Sequence, residues 1–205
     1  MKIAVYGATG SVGSQVVSEA VQRGHAVTGL SRRDPGPAAE GARFLTGDAA
    51  DADAARRVAA SHDVVVSALG PSRVPGENAD AFADIVRGLA AAAGSTRLIV
   101  MGGAGSTLVA PGVRLVDTPD FPEAYKAEAL AHAHALEVLR ATGPELDWTC
   151  LSPAPEVGPG ERTGKYVSGA DELVGVHITF ANVAVALVDE IESPTHRRQR
   201  FTLAN

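Results

Sequence analysis

Apolar residues follow two alternating patterns along the chain. Short, nearly continuous apolar runs are typical of strands covered on both faces of a sheet. Five such runs, KIAVY, HAVTGL, DVVVSAL, RLIVM and DWTCLS, begin at residues 2, 25, 63, 97 and 147. Between them, apolar residues recur at the three- and four-residue spacing of amphipathic helices, in residues 11–23, 51–60, 78–93 and 123–141. The alternation predicts an α/β fold, a parallel sheet with helices on both faces.

After Leu151 the pattern changes. The stretch SPAPEVGPGERTGKYVSGADELVGVHITF is dense in proline and glycine. We interpret residues 153–180 as a loop-rich substrate-side region within one domain of residues 1–205, and not as a second domain. A chain of 205 residues with 45% hydrophobic composition can bury one sizeable core.

Charge and composition restrict the partners. The net charge is −6, and the basic residues form no cluster longer than Arg197-Arg198, which argues against nucleic-acid and polybasic membrane surfaces. No apolar stretch reaches the ~18 residues of a membrane span, and the N-terminus lacks the basic region and cleavage site of a secretory signal. We expect a cytoplasmic monomer or homodimer that acts on a small molecule.

The cysteine and histidines suggest no reactive thiol and no metal centre. One cysteine, Cys150, suits a reducing compartment, and its apolar neighbours favour a core position over a nucleophile. His132 and His134 are two positions apart and therefore face different sides of the predicted helix. We expect both to be surface or packing residues, and no zinc site is predicted.

The glycine-rich sequence GATGSVG, residues 7–13, separates the first strand from the first helix. Such a turn lets the backbone approach a pyrophosphate, which the N–H groups and dipole of the helix N-terminus then hold. Gly7 would permit the turn, Gly10 the close approach and Gly13 the packing of helix on strand. The first gap is one residue longer than in G-x-G-x-x-G, and a purely structural turn is the alternative. The predicted pyrophosphate contacts are the amides of Thr9, Gly10, Ser11 and Val12.

The second strand ends at Ser31-Arg32-Arg33. A site for NAD usually has Asp or Glu here, which accepts a hydrogen bond from the ribose 2′-hydroxyl, whereas arginine suits a 2′-phosphate. The sequence therefore favours NADP(H) over NAD(H), with Ser31 and Arg32 as phosphate ligands. The alternative is a pair of solvated arginines near Asp34.

Six short motifs span nearly the whole chain: GATGSVG at 7–13, SRR at 31–33, GD at 47–48, SALG at 67–70, MGGAGS at 101–106 and LSPA at 151–154. With these motifs the chain resembles the atypical short-chain dehydrogenase/reductase superfamily. Within it, the chain is similar to the small NAD(P)H-binding group of NmrA-like proteins and flavin or biliverdin reductases. The resemblance implies a Rossmann-type, doubly wound parallel sheet.

The resemblance also implies cofactor contacts at later strand ends. Asp48 would flank the adenine, although a carboxylate there could equally cap a helix from Ala49 onward. Pro153 and Ala154 would touch the nicotinamide by backbone and packing. The remaining implied contacts are Ala68, Leu69, Gly70, Gly102 and Gly103.

The usual catalytic pair of short-chain enzymes, Tyr-x-x-x-Lys, is absent, because Ala129 stands four residues after Tyr125. Ser106, Tyr125 and Lys126 remain as candidates to contact a substrate carbonyl or the nicotinamide ribose. For Tyr125 and Lys126, a solvated helix face is the alternative.

These features predict an NADPH-dependent oxidoreductase that transfers hydride to a small conjugated acceptor, such as a flavin, quinone or related carbonyl compound. One alternative is an NmrA-like dinucleotide-sensing protein without turnover. Another is an epimerase or dehydratase, which the missing Tyr/Lys pair weakens. Residues 158–164 are expected to close over the substrate as a lid, or else to connect to an edge strand at GKYVSG.

Overall fold

The computed structural model describes residues 1–33, 41–72 and 80–205. The strands in these residues are β1 (Lys2–Tyr6), β2 (Ala26–Ser31), β3 (Ala42–Thr46), β4 (Val64–Ser67), β5 (Arg97–Met101), β6 (Leu108–Ala110), β7 (Val113–Arg114), β8 (Trp148–Pro153), β9 (Glu156–Gly158), β10 (Val167–Gly169), β11 (His177–Thr179) and β12 (Gln199–Ala204). The helices are α1 (Ser11–Gln22), α2 (Ala52–Ser61), α3 (Asp80–Ala93), α4 (Glu123–Arg140) and α5 (Phe180–Glu192).

Eight strands form the central sheet in the order β10-β12-β8-β5-β4-β1-β2-β3. All neighbours pair in parallel except β10, which is antiparallel to β12. Because β1 pairs with both β2 and β4, the strand order reverses there and the sheet is doubly wound. The predicted fold class is confirmed. The parallel strands end along one side of the sheet, which we call the carboxyl edge.

Helices cover both faces of the sheet. On β1, Ile3 and Val5 pack with residues of α1 and α5, whereas Ala4 and Tyr6 pack with residues of α2 and α3. All four side chains are at most 2% exposed. Burial on both faces explains why this strand is an unbroken apolar run and does not alternate with polar residues.

The five predicted strands are present as β1, β2, β4, β5 and β8, and the four predicted helices as α1 to α4. The predicted start of the third helix, Asn78, lies outside the described residues. None of the described helices is long and apolar enough to cross a membrane.

The sequence did not predict β3, α5 or β12. β12 (QRFTLA) has no continuous apolar run, because it begins with Gln199 and Arg200. Arg200 is 5% exposed and donates to Asp171 (Nε to Oδ1, 2.8 Å). A charge can occupy a buried strand only with such a partner, and the partner lies far away in sequence. The edge strand that the alternative to the lid placed at GKYVSG is present as β10, which pairs with β12.

Candidate dinucleotide site at the carboxyl edge

The glycine loop connects β1 to α1 at the carboxyl edge. Gly7 has φ +76°, a conformation that side-chain-bearing residues rarely adopt, so this position requires glycine for the turn. A Cβ on Gly13 would lie 2.1 Å from the Gly7 carbonyl oxygen. Gly7 and Gly13 are therefore explained by the turn and by the packing of α1 on the loop.

Gly10 differs from the other two glycines. It is exposed, and a Cβ there would meet only the Gly7 oxygen, at 3.2 Å. Its φ of −79° is ordinary for any residue. Since the protein itself makes little demand for glycine here, a small residue at this position suits the approach of a ligand to the backbone.

The N-terminus of α1 begins directly after Gly10. The first intrahelical bond runs from the Ser14 amide to the Gly10 carbonyl, and no described side chain caps the helix. The amides of Ser11, Val12 and Gly13 therefore have no partner within the helix. Unbonded amides beside an exposed glycine fit a pyrophosphate, whose oxygens accept hydrogen bonds and whose charge the helix dipole stabilises.

The other predicted cofactor residues lie at the ends of neighbouring strands. The amides of Gly7 and Ala8 donate to the Leu30 carbonyl at the end of β2, and the Ala68 amide donates to the Tyr6 carbonyl at the end of β1. Further along, the Gly102 amide donates to the Leu151 carbonyl (2.7 Å). The structure thus gathers the predicted positions along one edge, in the order of the strands.

Ser31 and Arg32 follow β2. The Ser31 hydroxyl, nearly buried, donates to the Arg33 carbonyl. Arg32 is exposed, and no described residue forms an ion pair with it. Asp34, the acidic neighbour in the alternative interpretation, lies outside the described residues. An exposed guanidinium of this kind can accommodate a phosphate by paired hydrogen bonds.

Asp48 follows β3 but does not cap the next helix. Its Oδ1 accepts from the Ala50 amide (2.9 Å) in a local turn. The N-cap of α2 is Asp51, which accepts from the amides of Asp53 and Ala54, and the Ala54 hydrogen bond chiefly lowers the pKa of Asp51. The capping alternative for Asp48 is therefore wrong, and its carboxylate stays exposed at the carboxyl edge.

The contacts implied at β4, β5 and β8 differ in exposure. Gly70 is exposed after β4, whereas Gly102 is buried, and a Cβ there would lie 2.8 Å from Cys150 Sγ. Pro153 and Ala154 are buried, and the Ala154 amide donates to the Leu203 carbonyl. The remaining two, Ala68 and Leu69, are half-buried. Pro153 and Ala154 can thus offer packing and little hydrogen bonding.

Ser106 ends a single 3-10 turn, Ala104–Ser106, that packs on α4. A Cβ on Gly105 would lie 2.5 Å from Ala129 Cβ, which shows how closely the turn approaches the helix. The Ser106 hydroxyl accepts from Arg200 Nη1 at 3.4 Å. Ser106 therefore lies beside the Arg200–Asp171 ion pair, and its hydroxyl has a structural hydrogen-bond partner in Arg200.

Tyr125 and Lys126 lie in the first turn of α4. Tyr125 is 61% exposed, and Lys126 Nζ lies 3.6 Å from the Glu123 carboxylate. No hydrogen bond or ion pair joins them to each other or to Ser106 in the described part of the chain. The catalytic role of the three stays a prediction, and their surroundings favour the solvated-face alternative for Tyr125 and Lys126.

His132, which the sequence predicted to be a surface or packing residue, is a packing residue at this edge and was not among the predicted cofactor contacts. Its ring packs on Gly103 and edge-on against Phe82, with ring centroids 4.9 Å apart. The helical spacing contained a signal, because Ala129, His132 and Leu136 are separated by three and four residues and share the inward face of α4.

Cys150 is confirmed as a core residue. It is 2% exposed on β8, and burial raises the pKa of its thiol to about 12. A thiol that stays protonated at neutral pH is a poor nucleophile.

Residues 159–164 are exposed and Gly158 is half-buried, but the segment is attached to the helices beneath it. The side chain of Arg162 donates twice to Glu19 (2.6 and 2.7 Å), and the amides of Thr163 and Gly164 both donate to Asn182 Oδ1 (3.1 Å). Glu19 is 4% exposed, and the hydrogen bond from Arg162 chiefly lowers its pKa. The lid role stays a prediction, and these attachments weigh against it.

The sequence profile of the NAD(P)H-binding family matches residues 7–194, so this chain belongs to that family. The match agrees with the geometry, because it begins at the glycine loop and includes the ends of β2, β3, β4, β5 and β8. The family and the doubly wound sheet support an oxidoreductase that uses a nicotinamide cofactor.

Three proteins illustrate the similarity of this chain to known sequences and solved structures. The chain is 36% identical to the uncharacterized protein YwnB of Bacillus subtilis over 219 residues, 100% of this chain and 99% of that protein. It is 43% identical, with TM-score 0.89 and 100% of both chains covered, to a candidate exported protein of Burkholderia pseudomallei. It is 32% identical, with TM-score 0.90, to a candidate NADH-flavin reductase of Streptococcus pneumoniae, covering 100% of this chain and 99% of that one.

Proposed function

We propose that this protein is an NADPH-dependent reductase that delivers hydride to a small conjugated acceptor, such as a flavin, a quinone or a related carbonyl compound. The observation that carries the proposal is the exposed Gly10 beside the start of α1, which no described side chain caps, in a chain of the NAD(P)H-binding family. The similarity to a candidate NADH-flavin reductase supports the acceptor class.

Each part of the cofactor would have its own residues. The amides of Thr9, Ser11 and Val12 would hold the pyrophosphate. The predicted contact from the Gly10 amide is corrected, because that amide donates to the Gly7 carbonyl (2.9 Å), so Gly10 would contribute only the close approach. Ser31 and Arg32 would hold the 2′-phosphate, and Asp48 would flank the adenine. The nicotinamide end would lie along Ala68, Leu69, Gly70, Gly102, Gly103, Pro153 and Ala154.

The protein's part in the reaction would be to bind and orient. When bound, the cofactor supplies the hydride. A conjugated ring that accepts hydride needs little help from a protein acid, which agrees with the missing Tyr-x-x-x-Lys pair. We also propose a cytoplasmic location, for which the support is one buried cysteine and no further cysteine in the chain.

The test is NADPH oxidation, followed at 340 nm, with FMN, FAD, quinones and simple aldehydes. We expect saturable turnover with at least one conjugated acceptor, faster with NADPH than with NADH at low cofactor concentration. The control is Gly10→Val, which should remove turnover. Tight NADPH binding without oxidation by any acceptor would overturn the reductase proposal.

A second candidate is a dinucleotide sensor without turnover. The observation that favours it is the dispersal of Ser106, Tyr125 and Lys126, since none hydrogen bonds to another in the described residues. A sensor would bind NADP⁺ and NADPH and change its association with a partner protein, whereas a reductase would consume NADPH.

A further inference from the structure

The imidazole of His132 lies under the backbone where β4 and β5 end. A Cβ on Gly103 would be 2.9 Å from His132 Cδ2 and 3.0 Å from Cγ, so the ring fills the space that a side chain would need. A Cβ on Gly70 would be 3.9 Å from His132 Nε2. The nitrogen thus points toward the exposed glycine that follows β4, while the ring carbons pack on Gly103.

The topology assigns this position to one end of the dinucleotide. In a doubly wound sheet, the ligand lies across the carboxyl edge at the point where the strand order reverses. Here the order reverses between β1 and β4, with β2 and β3 on one side and β4 and β5 on the other. If Ser31 and Arg32 hold the adenosine end beyond β2, the nicotinamide end extends over β4 and β5, above His132.

We propose that His132 Nε2 hydrogen bonds to the nicotinamide ribose of the bound cofactor. The assignment rests on the cofactor orientation in the proposed function, and it needs no acceptor. Imidazole can donate to or accept from a ribose hydroxyl, which itself does both. Lys126 is the weaker candidate for this contact, since its side chain is 48% exposed in the first turn of α4.

The test compares ligands that contain or lack the nicotinamide half. NADPH, NADH and adenosine 2′,5′-bisphosphate are titrated by calorimetry into the wild-type chain and into His132→Ala. Loss of one hydrogen bond should weaken NADPH and NADH by about 5- to 10-fold each. The bisphosphate lacks the nicotinamide ribose, so its affinity should stay within about twofold of wild type.

Two further variants make the test specific. His134→Ala removes a histidine from the same helix, but His134 is exposed and its Nδ1 lies 3.0 Å from Asp80 Oδ1, so all three affinities should stay unchanged. His132→Gln keeps a hydrogen-bonding amide and should recover part of the lost affinity.

A spectroscopic readout accompanies the titrations. The imidazole proton signals of His132, assigned by their loss in His132→Gln, should shift when NADP⁺ is added and should stay unchanged with the bisphosphate. This readout does not depend on turnover. A protein that binds NADP⁺ but reduces no acceptor would leave the His132 assignment intact while overturning the reductase.

Three results would overturn the assignment. Unchanged NADPH affinity in His132→Ala would mean that there is no contact. Equal weakening of NADPH and the bisphosphate would mean a structural role. A wild-type chain that binds neither nicotinamide cofactor would remove the assignment and the proposed function together.

Discussion

The two ends of the carboxyl edge differ in whether backbone groups or side chains form the surface that would face a ligand. At the end of β1, the surface is backbone: an exposed glycine, a short turn and the first amides of α1, which have no partner within the helix. Beyond β4 and β5 there are also glycines, but a side chain of α4, His132, fills the space beside Gly103 and approaches Gly70. Backbone groups suit a pyrophosphate, which every dinucleotide contains, whereas side chains can distinguish one ligand from another.

This difference predicts unequal consequences of mutation. A change in the glycine loop should affect all dinucleotides alike, because it blocks the part that they share. A change after β2 or on α4 should affect only the ligands that carry the matching group. The predictions below test that division, from the largest expected effect to the smallest.

Replacing Gly10 by Val should abolish binding of both NADPH and NADH, by at least about 100-fold. The backbone conformation accepts valine, and its Cβ would meet only the Gly7 oxygen, at 3.2 Å. The fold should therefore survive while the side chain blocks the phosphates. Calorimetric titration gives the affinity, and thermal unfolding followed by circular dichroism gives the stability.

The matched variant at the same loop is Gly13→Ala. Its Cβ would lie 2.1 Å from the Gly7 oxygen, so the helix must shift and the stability should fall by about 2–3 kcal/mol. One glycine thus reports on the ligand and the other on the fold. If the cofactor affinity of Gly10→Val stayed within about threefold of wild type, the glycine loop would not be the part of the site that all dinucleotides share.

Replacing Arg32 by Ala should weaken NADPH by about 10- to 30-fold, the worth of a charge-assisted contact, and leave NADH within about twofold. The guanidinium is exposed, and its proposed partner is the 2′-phosphate that NADH lacks. Parallel titrations with the two cofactors measure the ratio, and Arg33→Ala is the control for general loss of positive charge. Equal losses for both cofactors would be incompatible with a 2′-phosphate role.

What the sequence could predict depends on whether a feature arises from a local pattern or from contacts between distant segments. The glycine loop and the apolar strands are local patterns, and each one is sufficient to predict its own element. The partners of Arg200 and the position of His132 depend on contacts between distant segments. Arg200 binds Asp171, 29 residues away in sequence, and His132 packs on Gly70 and Gly103. Pairings of this kind leave no periodic signal, so β12 was not predicted. For His132, the helical spacing indicated the inward face of α4 but not the residues that it contacts.

The double variant Tyr125→Phe, Lys126→Ala should change kcat and KM by less than about threefold, because solvated side chains contribute little. Tyr125 is 61% exposed, and Lys126 only approaches Glu123, at 3.6 Å. Steady-state kinetics with the best acceptor measure the effect. A loss of 100-fold in kcat with unchanged KM would restore both as catalytic residues and would require α4 to move toward the cofactor.

The smallest effect is expected at residues 158–164. Because the amides of Thr163 and Gly164 already donate to Asn182, which is fully buried, their hydrogen exchange should be slow without ligand. Adding NADPH and acceptor should change it by less than about twofold. The variant Arg162→Ala removes the hydrogen bonds between the segment and Glu19, so it should speed hydrogen exchange in the segment. NADPH affinity should stay unchanged, because Glu19 lies in the second half of α1, away from the glycine loop. Hydrogen exchange measured by mass spectrometry distinguishes a lid from a connecting segment. Strong slowing only when both NADPH and acceptor are present would make residues 158–164 a lid. The substrate-side end of the carboxyl edge would then be completed by this segment when it closes.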